Sequence, residues 1–404
     1  MTTLVASETQ ALAPVAHPCA RARSVAATAA EYAEAVDREA RFPAETFAAA
    51  RRHRLLSMLV PVELGGDGAT VSDAVDVCYM LGTSCGSSAM IFAMHQIQVV
   101  ILLRHAQTSS WHQRLLRRLC DEQLLFASST TENQTGGQVR TSACAVERDA
   151  SSRMSLVKNG TVMSYGAQAD GIFLTARRTP DAQPSDQVLV TFLKGDYELE
   201  KIKEWDTMGM RGTCSTGFTL RGCGGFDQVV PESYERIHPQ SMVPIAHLTW
   251  SAVWCGIAAG AVGRARRLVR KGAAAGSSGQ SVPGAAHLTR AMMSLRALRG
   301  SISAAVASYE SAASNASDGN RLEAIDFQTG MNLLKVNSSE SAIDIVMHAM
   351  QACGLSGYRN DGEFSVARNL RDVLSSSIMI NNERILTSAA SSLLLFDVPA
   401  RLRD

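Results

Sequence analysis

The stretch QACGLSGYRNDGEFSVARNLRDVLSSSIMINNERI, residues 351–385, decides the fold that we expect for this chain. It ends one apolar helical pattern, turns at Gly354 and Gly357, and resumes a helical pattern around Arg371 and Asp372. Two glycines three residues apart allow a tight backbone path whose amide groups can face a phosphate or a planar ring. A plain turn between two helices explains the same glycines.

Helical patterns continue on both sides of this turn. From residue 242 onward, apolar residues recur at three- and four-residue spacing, and short polar or glycine-rich breaks separate the segments. The pattern predicts four long helices, at residues 245–271, 285–312, 321–353 and 364–396. Four such helices with short connections are typical of an antiparallel four-helix bundle, which we expect at residues 236–404.

The preceding residues divide into a helical part and a strand-rich part. Residues 1–123 show five helical patterns, at 26–41, 43–56, 71–82, 88–104 and 111–120. Residues 124–235 show short alternating or β-branched segments, at 124–131, 144–148, 155–158, 171–177, 188–194, 198–202 and 217–221. No helical pattern lies between these strands, which favours an antiparallel β domain, as a barrel or a sandwich. The predicted fold class is therefore α+β, with an N-terminal all-α domain, a middle antiparallel β domain and a C-terminal four-helix bundle.

Composition excludes several classes of function. The chain is 46% hydrophobic and 19% charged, with a net charge of +1, which is typical of a globular protein and gives no support for nucleic-acid binding. Neither GxGxxG nor a Walker sequence occurs, so NAD and ATP have no motif support. The nine cysteines show neither a CxxC pair nor a metal-ligand spacing, which favours a reducing cytoplasm and no metal site.

Two stretches without charged residues resemble membrane spans by hydropathy. Residues 84–103 contain His95 and Gln96, and residues 241–263 contain Pro244 and His247. These polar and helix-interrupting residues favour helices buried inside a helical protein, so we expect no membrane span. The N-terminus shows no basic segment followed by an apolar one, and we therefore expect no signal peptide.

Three segments of the middle domain carry a resemblance to a known family. They read SSTTENQTGG at 128–137, VMSYGAQAD at 162–170 and WDTMGMRGTCS at 205–215. They are similar to the Thr-Glu-Pro-x-Ala-Gly-Ser-Asp, Trp-Ile-Thr/Ser-Asn-Gly-x-x-Ala-Asp and Gly-x-Arg-x-Thr/Ser segments of the acyl-CoA dehydrogenase superfamily of flavoproteins. The order of Gln351, the glycine turn, Tyr358 and the Arg371-Asp372 pair resembles the C-terminal signature of that family. The domain order also matches, so the resemblance covers nearly the whole chain.

The resemblance implies an FAD cofactor and a set of residues that contact it. In the middle domain these residues are Ser129, Thr130, Thr131, Gly136, Met163 and Ser164, with Ser164 near the reactive nitrogen of the flavin. In the C-terminal domain Gln351, Gly354 and Gly357 hold the FAD of a neighbouring subunit. This arrangement implies a homodimer or a homotetramer.

The catalytic base of the family is missing from its usual position. The family's glutamate lies eight residues after the aspartate of the Arg-Asp pair, and Ile380 occupies that position here. Some members carry the base on the first bundle helix instead, where this chain has Val253. Glu383, three residues after Ile380, would lie on nearly the same face of one continuous helix and is our candidate base. A solvated or ion-paired surface glutamate explains Glu383 as well.

The resemblance favours the first of three functions and leaves the other two as alternatives. The first is an FAD-dependent oxidoreductase that desaturates an acyl thioester, bound to CoA or to a carrier protein, and passes electrons to a separate acceptor. The second is a flavin-dependent monooxygenase of the same fold, which needs no dehydrogenase glutamate and takes reduced flavin from a partner reductase. The third is a flavin-binding homologue without catalytic activity.

Overall fold

The N-terminal part of the chain is helical. The computed structural model describes residues 16–132, 134, 138–275, 282–314, 321–395 and 397. Its first five helices are α1 (Pro18–Glu39), α2 (Ala44–Arg52), α3 (Val71–Ser84), α4 (Gly86–His105) and α5 (Ser110–Glu122). The side chain of Thr70 accepts a hydrogen bond from the backbone N–H of Asp73, whose carboxylate accepts one from the Thr70 N–H, so α3 begins in a capping box.

In the described residues that follow, seven strands form two sheets. They are β1 (Phe126–Ser129), β2 (Glu147–Arg148), β3 (Arg153–Gly160), β4 (Gly171–Arg177), β5 (Gln187–Leu193), β6 (Tyr197–Lys203) and β7 (Gly217–Gly225). One sheet has the order β1-β4-β5 and the other has the order β2-β3-β7-β6.

The prediction of a wholly antiparallel β domain is wrong at one pair of strands. β1 runs parallel to β4, with Phe126 opposite Gly171, while the other pairs are antiparallel. Between β1 and β4 the chain passes through β2 and β3 of the other sheet. A parallel pair requires such a crossover connection. Residue alternation within a strand does not reveal the direction of its partner.

Helices resume at residue 234 and build the C-terminal part. They are α6 (Tyr234–Ile237), α7 (Val243–Ala275), α8 (Ala285–Ser314), α9 (Ile325–Cys353), α10 (Leu355–Tyr358), α11 (Ala367–Leu374) and α12 (Asn382–Leu393). The predicted fourth bundle helix, residues 364–396, is therefore not one helix. It is divided by a 3-10 turn at Ser375–Ser377 and by a turn in which Ile380 has φ +48°.

The two helical parts pack directly on each other. Helix α7 packs along both α9 and α3. Gly82 of α3 faces Gly256 of α7, and a Cβ added at Gly82 would lie only 2.6 Å from the carbonyl oxygen of Val253. The missing side chains thus let the two backbones touch, which joins the N-terminal helices firmly to the bundle.

Among the described residues, two helical stretches are apolar and long enough to cross a bilayer by length and composition alone. In Gly86–His105 89% of the most apolar window is buried, and in Tyr234–Ala274 the value is 83%. Buried helices at the centre of a folded domain pass the same test. Within the described part of the chain, both stretches lie inside the protein, as the polar residues in them predict.

Candidate active site

A chain of hydroxyl groups runs inward from Ser164, the predicted neighbour of the reactive flavin nitrogen. The Oγ of Ser164 lies 2.8 Å from the Oγ of Ser215, which lies 2.8 Å from the Oγ1 of Thr213. Thr213 donates to the carbonyl oxygen of Met210 over 2.8 Å. Ser215 and Thr213 are buried, whereas Ser164 is half-buried at the outer end. The chain therefore joins the second and third family-like segments.

Ser129 provides a buried polar atom without a protein partner. It ends β1, its side chain is fully buried, and its Oγ has no hydrogen bond among the described residues. A Cβ added at Gly160 of β3 would lie 2.9 Å from this Oγ and 3.5 Å from the Cε of Met163. Ser129 and Met163 are thus brought together, and the backbone N–H of Met163 is already bonded to the carbonyl of Thr216.

Residues 130–137 continue from β1, and part of this segment lies outside the described residues. Thr130 and Thr131 are half-buried. Gly136 falls outside the described part of the chain, so its predicted flavin contact stays a prediction. The two half-buried threonines follow buried Ser129 directly in the sequence.

A buried ion pair anchors the segment at residues 130–137 to the β domain. Glu132 and Lys158 are 2% and 0% exposed, and the Nζ of Lys158 lies 2.5 Å from the Oε1 of Glu132. The other carboxylate oxygen accepts hydrogen bonds from the backbone N–H groups of Ala143 and Cys144. Burial alone would raise the pKa of Glu132, but the Lys158 ammonium and these donors hold it below its usual value. The pair fixes residue 132 to β3.

The Arg371-Asp372 pair ties the bundle to the third segment. The Oδ1 of Asp372 accepts a hydrogen bond from the backbone N–H of Met210 over 2.7 Å. A Cβ at Gly209 would collide with the carbonyl of Arg371, whose guanidinium is paired with Asp37. Burial raises the pKa of Asp372 to about 6. The hydroxyl chain from Ser164 therefore ends on a loop that α11 holds in place.

In its contacts, the glycine turn after α9 is separate from the three family-like segments and from the Arg371-Asp372 pair. Gly354 is exposed with φ +55° and ends α9, and Gly357 is buried within α10. Gln351 is exposed, and its side-chain oxygen lies 3.1 Å from the Nδ1 of His348. These contacts are with α9 and α10 themselves, so the predicted reach to the flavin of a neighbouring subunit stays a prediction.

Lys335 holds the turn that contains Ile380. Its buried ammonium on α9 donates to the carbonyl oxygens of Ser376 and Ile380, over 2.9 and 2.8 Å, and to the Oδ1 of Asn382 over 2.6 Å. It also lies 5.6 Å from the centre of the Trp254 ring. Burial lowers the pKa of Lys335 to about 8. The sequence prediction missed Lys335, whose only signal is a lysine within an apolar helical pattern.

The condition on which Glu383 was predicted as the base does not hold. Ile380 lies in a turn with positive φ, while Glu383 is exposed in the first turn of α12. The two residues therefore do not share one continuous helix. The alternative base position, Val253, is fully buried, with its carbonyl against Gly82. Of these three positions only Glu383 has a carboxylate, and its catalytic role stays a prediction.

The arrangement fits the polar edge of a flavin. Such an edge presents ring nitrogens and carbonyl oxygens in one plane and needs several donors and acceptors at once. The buried Oγ of Ser129, which has no partner among the described residues, and the half-buried hydroxyl groups of Ser164 and Thr131 are groups of this kind. We missed Ser215 and Thr213 as site residues, although both lie in a segment that the sequence singles out.

Among the described residues, one group of possible metal ligands occurs away from these segments. The ligand atoms of His17, Cys19 and Asp73 lie within 4.8 Å of one another. The backbone N–H of Cys19 bonds to His17, and burial together with Asp73 raises the pKa of the Cys19 thiol. A thiol that keeps its proton is a poor metal ligand. Hydrogen bonding accounts for this group.

The family comparison agrees with the fold. Residues 19–123 match the family description "Acyl-CoA dehydrogenase, N-terminal domain", and residues 246–388 match "Acyl-CoA dehydrogenase, C-terminal domain". Over 196 residues the chain is 28% identical to an acryloyl-CoA reductase (NADH) from Anaerotignum propionicum. That match covers 47% of this chain and 48% of the reductase, so the chain aligns with about half of that protein's length.

Solved structures share the fold at low sequence identity. FMN-bound TdsC from Paenibacillus sp. A11-2, a dibenzothiophene monooxygenase, is 17% identical, with a TM-score of 0.80 over 95% of this chain and 98% of that one. Butyryl-CoA dehydrogenase from Megasphaera elsdenii is also 17% identical, with a TM-score of 0.76 over 95% and 99%. From its two family domains and its fold, this chain belongs to the acyl-CoA dehydrogenase superfamily and is a flavin-dependent oxidoreductase.

Proposed function

We propose that this oxidoreductase is a flavin-dependent monooxygenase that receives reduced flavin from a separate reductase. The observation that carries the proposal is Ile380, an apolar side chain where the dehydrogenases of the family have their base. Three hydrogen bonds from Lys335 to residues 376–382 hold the turn that contains Ile380, so the backbone at this position is fixed by specific contacts.

Desaturation of an acyl thioester needs a base that removes the α-proton while hydride leaves the β-carbon. Neither Ile380 nor Val253 can accept a proton, and Glu383 lies on a separate helix, exposed to solvent. Oxygenation does not need a carboxylate at this place. Loss of the base therefore disfavours the dehydrogenase that the sequence resemblance favoured and supports the oxygenating alternative.

The flavin, when bound, supplies two electrons to O₂, of which one oxygen atom enters the substrate and the other leaves as water. The residues of this chain bind and orient the ring through Ser129, Thr131 and Ser164. The side chain of Ile380 contributes an apolar surface, and an apolar surface limits the entry of water. Among the relatives, a monooxygenase with bound FMN shares the fold, which is compatible with this proposal.

One experiment separates the two reactions. The flavin-loaded protein is mixed without oxygen with a panel of acyl-CoA and acyl-carrier-protein thioesters, and the visible flavin absorbance is followed. A monooxygenase keeps its flavin oxidised under these conditions. It then consumes oxygen when NAD(P)H and a flavin reductase are added. Bleaching of the flavin by a thioester alone would overturn the proposal and establish dehydrogenation.

Oxidation of an acyl thioester remains the second candidate, because the curated relative acts on an acyl-CoA. For this reaction Glu383 would be the base. If the protein is a monooxygenase, Glu383→Gln is expected to change turnover less than about twofold, since the substitution is nearly isosteric and removes only an exposed carboxylate. Loss of a true general base typically costs about a hundred- to ten-thousandfold. Turnover of the purified variant, with Glu363→Gln as an exposed control, distinguishes the two values.

The predicted flavin contacts lead to a second expectation. Thr131→Ala should weaken flavin binding by about fivefold, and Ser164→Ala should weaken the binding of reduced flavin by a similar factor, because each removes one hydrogen bond worth about 1 kcal/mol. The flavin content of purified Thr131→Ala and the affinity of Ser164→Ala for reduced flavin measure this loss. The matched control is Thr219→Val, because the hydroxyl of Thr219 donates to the Oδ1 of Asn159. Wild-type values in both site variants would show that these segments do not hold the flavin.

We propose FAD as the cofactor and a homodimer or homotetramer as the assembly. The adenosine end of FAD needs a second contact region, for which the turn at Gln351, Gly354 and Gly357 is our candidate on a neighbouring subunit. Apolar side chains near this turn are unusually exposed, with Leu355 at 74% and Tyr358 at 72%. Large apolar side chains in such positions are typical of protein interfaces.

Assembly and cofactor binding should therefore be linked. A ligand held by two subunits stabilises their association. We expect light scattering to give a dimer or tetramer, and Leu355→Glu with Tyr358→Glu to shift the protein towards the monomer and reduce its FAD content. A wild-type monomer with one FAD per chain would contradict this expectation.

The remaining partners follow from the same proposal. The near-neutral charge gives no support for nucleic acid as a partner, and the free cysteines favour a reducing, cytoplasmic location. If the second candidate is correct, the partners are an acyl thioester and an electron acceptor in place of the reductase.

A further inference from the structure

We propose that the buried hydroxyl chain makes Ser164 a hydrogen-bond acceptor towards its ligand, so that the site prefers reduced flavin over oxidised flavin. This inference rests on the proposed flavin site and names the residues that set its redox preference. They are Ser215 and Thr213, which act as positioning residues through Ser164.

The direction of each hydrogen bond follows from the inner end of the chain. A carbonyl oxygen can only accept, so the single hydroxyl proton of Thr213 goes to Met210 over 2.8 Å. Thr213 then has no proton for Ser215, and the 2.8 Å contact between them requires Ser215 to donate. The proton of Ser215 is now used as well. The 2.8 Å contact with Ser164 therefore requires Ser164 to donate inward.

Burial keeps this direction from reversing easily. Thr213 and Ser215 are 3% and 5% exposed. Among the described residues of the protein, their hydroxyl groups have no hydrogen-bond partners outside the hydroxyl chain and the Met210 carbonyl. If Ser164 donated outward, Ser215 would have to donate to it. Two oxygens 2.8 Å apart would then face each other without a proton, at a cost of about one hydrogen bond.

The inner end of the chain is itself fixed. The backbone N–H of Met210 is bonded to the buried carboxylate of Asp372, and the same Met210 carbonyl also accepts from the indole N–H of Trp205 over 3.2 Å. Met210 has φ +53°, a left-handed conformation that a non-glycine residue adopts only under constraint. The acceptor that directs the chain is therefore held from both sides.

The outward lone pairs of Ser164 match one redox state of the flavin. The reactive ring nitrogen carries a proton in reduced flavin and can donate it, whereas in oxidised flavin the same nitrogen only accepts. An acceptor at this position stabilises the reduced ring and leaves the oxidised ring without a donor. The difference should favour reduced flavin by about fivefold, the factor that corresponds to one hydrogen bond. A site of this kind retains reduced flavin that is delivered by another protein.

The test measures the midpoint potential of the bound flavin by reduction in the presence of a reference dye. Thr213→Val frees the proton of Ser215 and lets the chain reverse, so the preference for reduced flavin should fall about fivefold, which lowers a two-electron potential by about 20 mV. Ser215→Ala removes the inward partner of Ser164 and should also lower the midpoint potential. It replaces Thr213→Val in the test if Thr213→Val does not fold. Thr213→Ser keeps the hydroxyl and should restore the wild-type potential, and Thr219→Val serves as the control.

Wild-type potentials in both Thr213→Val and Ser215→Ala would overturn the inference. So would a potential in Thr213→Ser that falls as far as in Thr213→Val, since the methyl group and not the hydroxyl would then be responsible. A protein that binds no flavin in either redox state would overturn the proposed function together with this inference. Equal potentials in a flavin-binding protein would leave the proposed function standing and remove only the hydroxyl chain.

Discussion

Lys158→Met is expected to lower the free energy of unfolding by about 3–5 kcal/mol, because it leaves a buried carboxylate without its ammonium partner. Lys158 and Glu132 are almost fully buried, and Lys158 also donates to the carbonyl of Thr175 over 2.6 Å. The carboxylate would keep its bonds to the N–H groups of Ala143 and Cys144, but it would lose the Lys158 ammonium. Calorimetric unfolding and flavin content should both report the loss, since Glu132 follows Thr131 directly.

A double variant separates the ion pair from general damage. Lys158→Met with Glu132→Gln removes the buried negative charge and keeps an oxygen that can accept from the backbone, so its loss of stability should be clearly smaller. The pKa of Glu132 lies below its usual value, so its stabilising contribution is complete above about pH 4.5 and disappears as the pH falls through the lowered pKa. The difference between wild type and Lys158→Met should therefore narrow in acid. A double variant as unstable as the single one would contradict the ion-pair account.

Lys335→Met is expected to lower the free energy of unfolding by about 3 kcal/mol and to loosen the turn at Ile380. It removes donors from the carbonyls of Ser376 and Ile380 and from Asn382, and leaving a buried acceptor unbonded costs about 1–3 kcal/mol each. Part of this cost is offset, because a buried ammonium no longer has to be desolvated. Amide hydrogen exchange should show faster exchange confined to residues 376–382, with turnover reduced in parallel.

The control is Lys203→Met, an exposed lysine on β6, which should leave stability and exchange unchanged. Burial lowers the pKa of Lys335 from 10.5 to about 8, so the folded state releases this proton before the unfolded state does. The stability contribution of Lys335 therefore rises as the pH increases between these two values. The difference in the free energy of unfolding between wild type and Lys335→Met should therefore grow as the pH rises between these two pKa values. Unchanged exchange at residues 376–382 would show that Lys335 does not hold the turn.

The long helices could be predicted from the sequence, because each has an apolar stripe that is repeated over many turns. Predicted segments 245–271 and 285–312 correspond to α7 and α8 with small differences at their ends. The break after α11 could not be predicted, because its cause is distant. Lys335 takes the carbonyls of Ser376 and Ile380, which a continuous helix would use for its own hydrogen bonds.

The candidate site, like the helices, could be predicted from the sequence only in part. Local motifs identify Ser164 and Thr131, since each lies in a short segment that resembles a known pattern. The partners Ser215 and Thr213 follow from the distance between two loops, and the direction of the hydrogen bonds follows from one carbonyl at Met210. Such facts depend on three-dimensional contacts between residues about 50 positions apart, which periodicity and propensity do not describe.

The bond between Met210 and Asp372 also orders events during synthesis of the chain. Its two residues are 162 positions apart, and Gly209 lies against the Arg371 carbonyl in the same seam. Domains generally fold from the N-terminus as the ribosome releases them, and contacts distant in sequence form late. The β domain can thus form its sheets early, whereas the loop at residues 209–214 is fixed in place only after α11 has been synthesised. A ribosome-bound chain that stops before Asp372 should have folded strands but no site able to retain flavin.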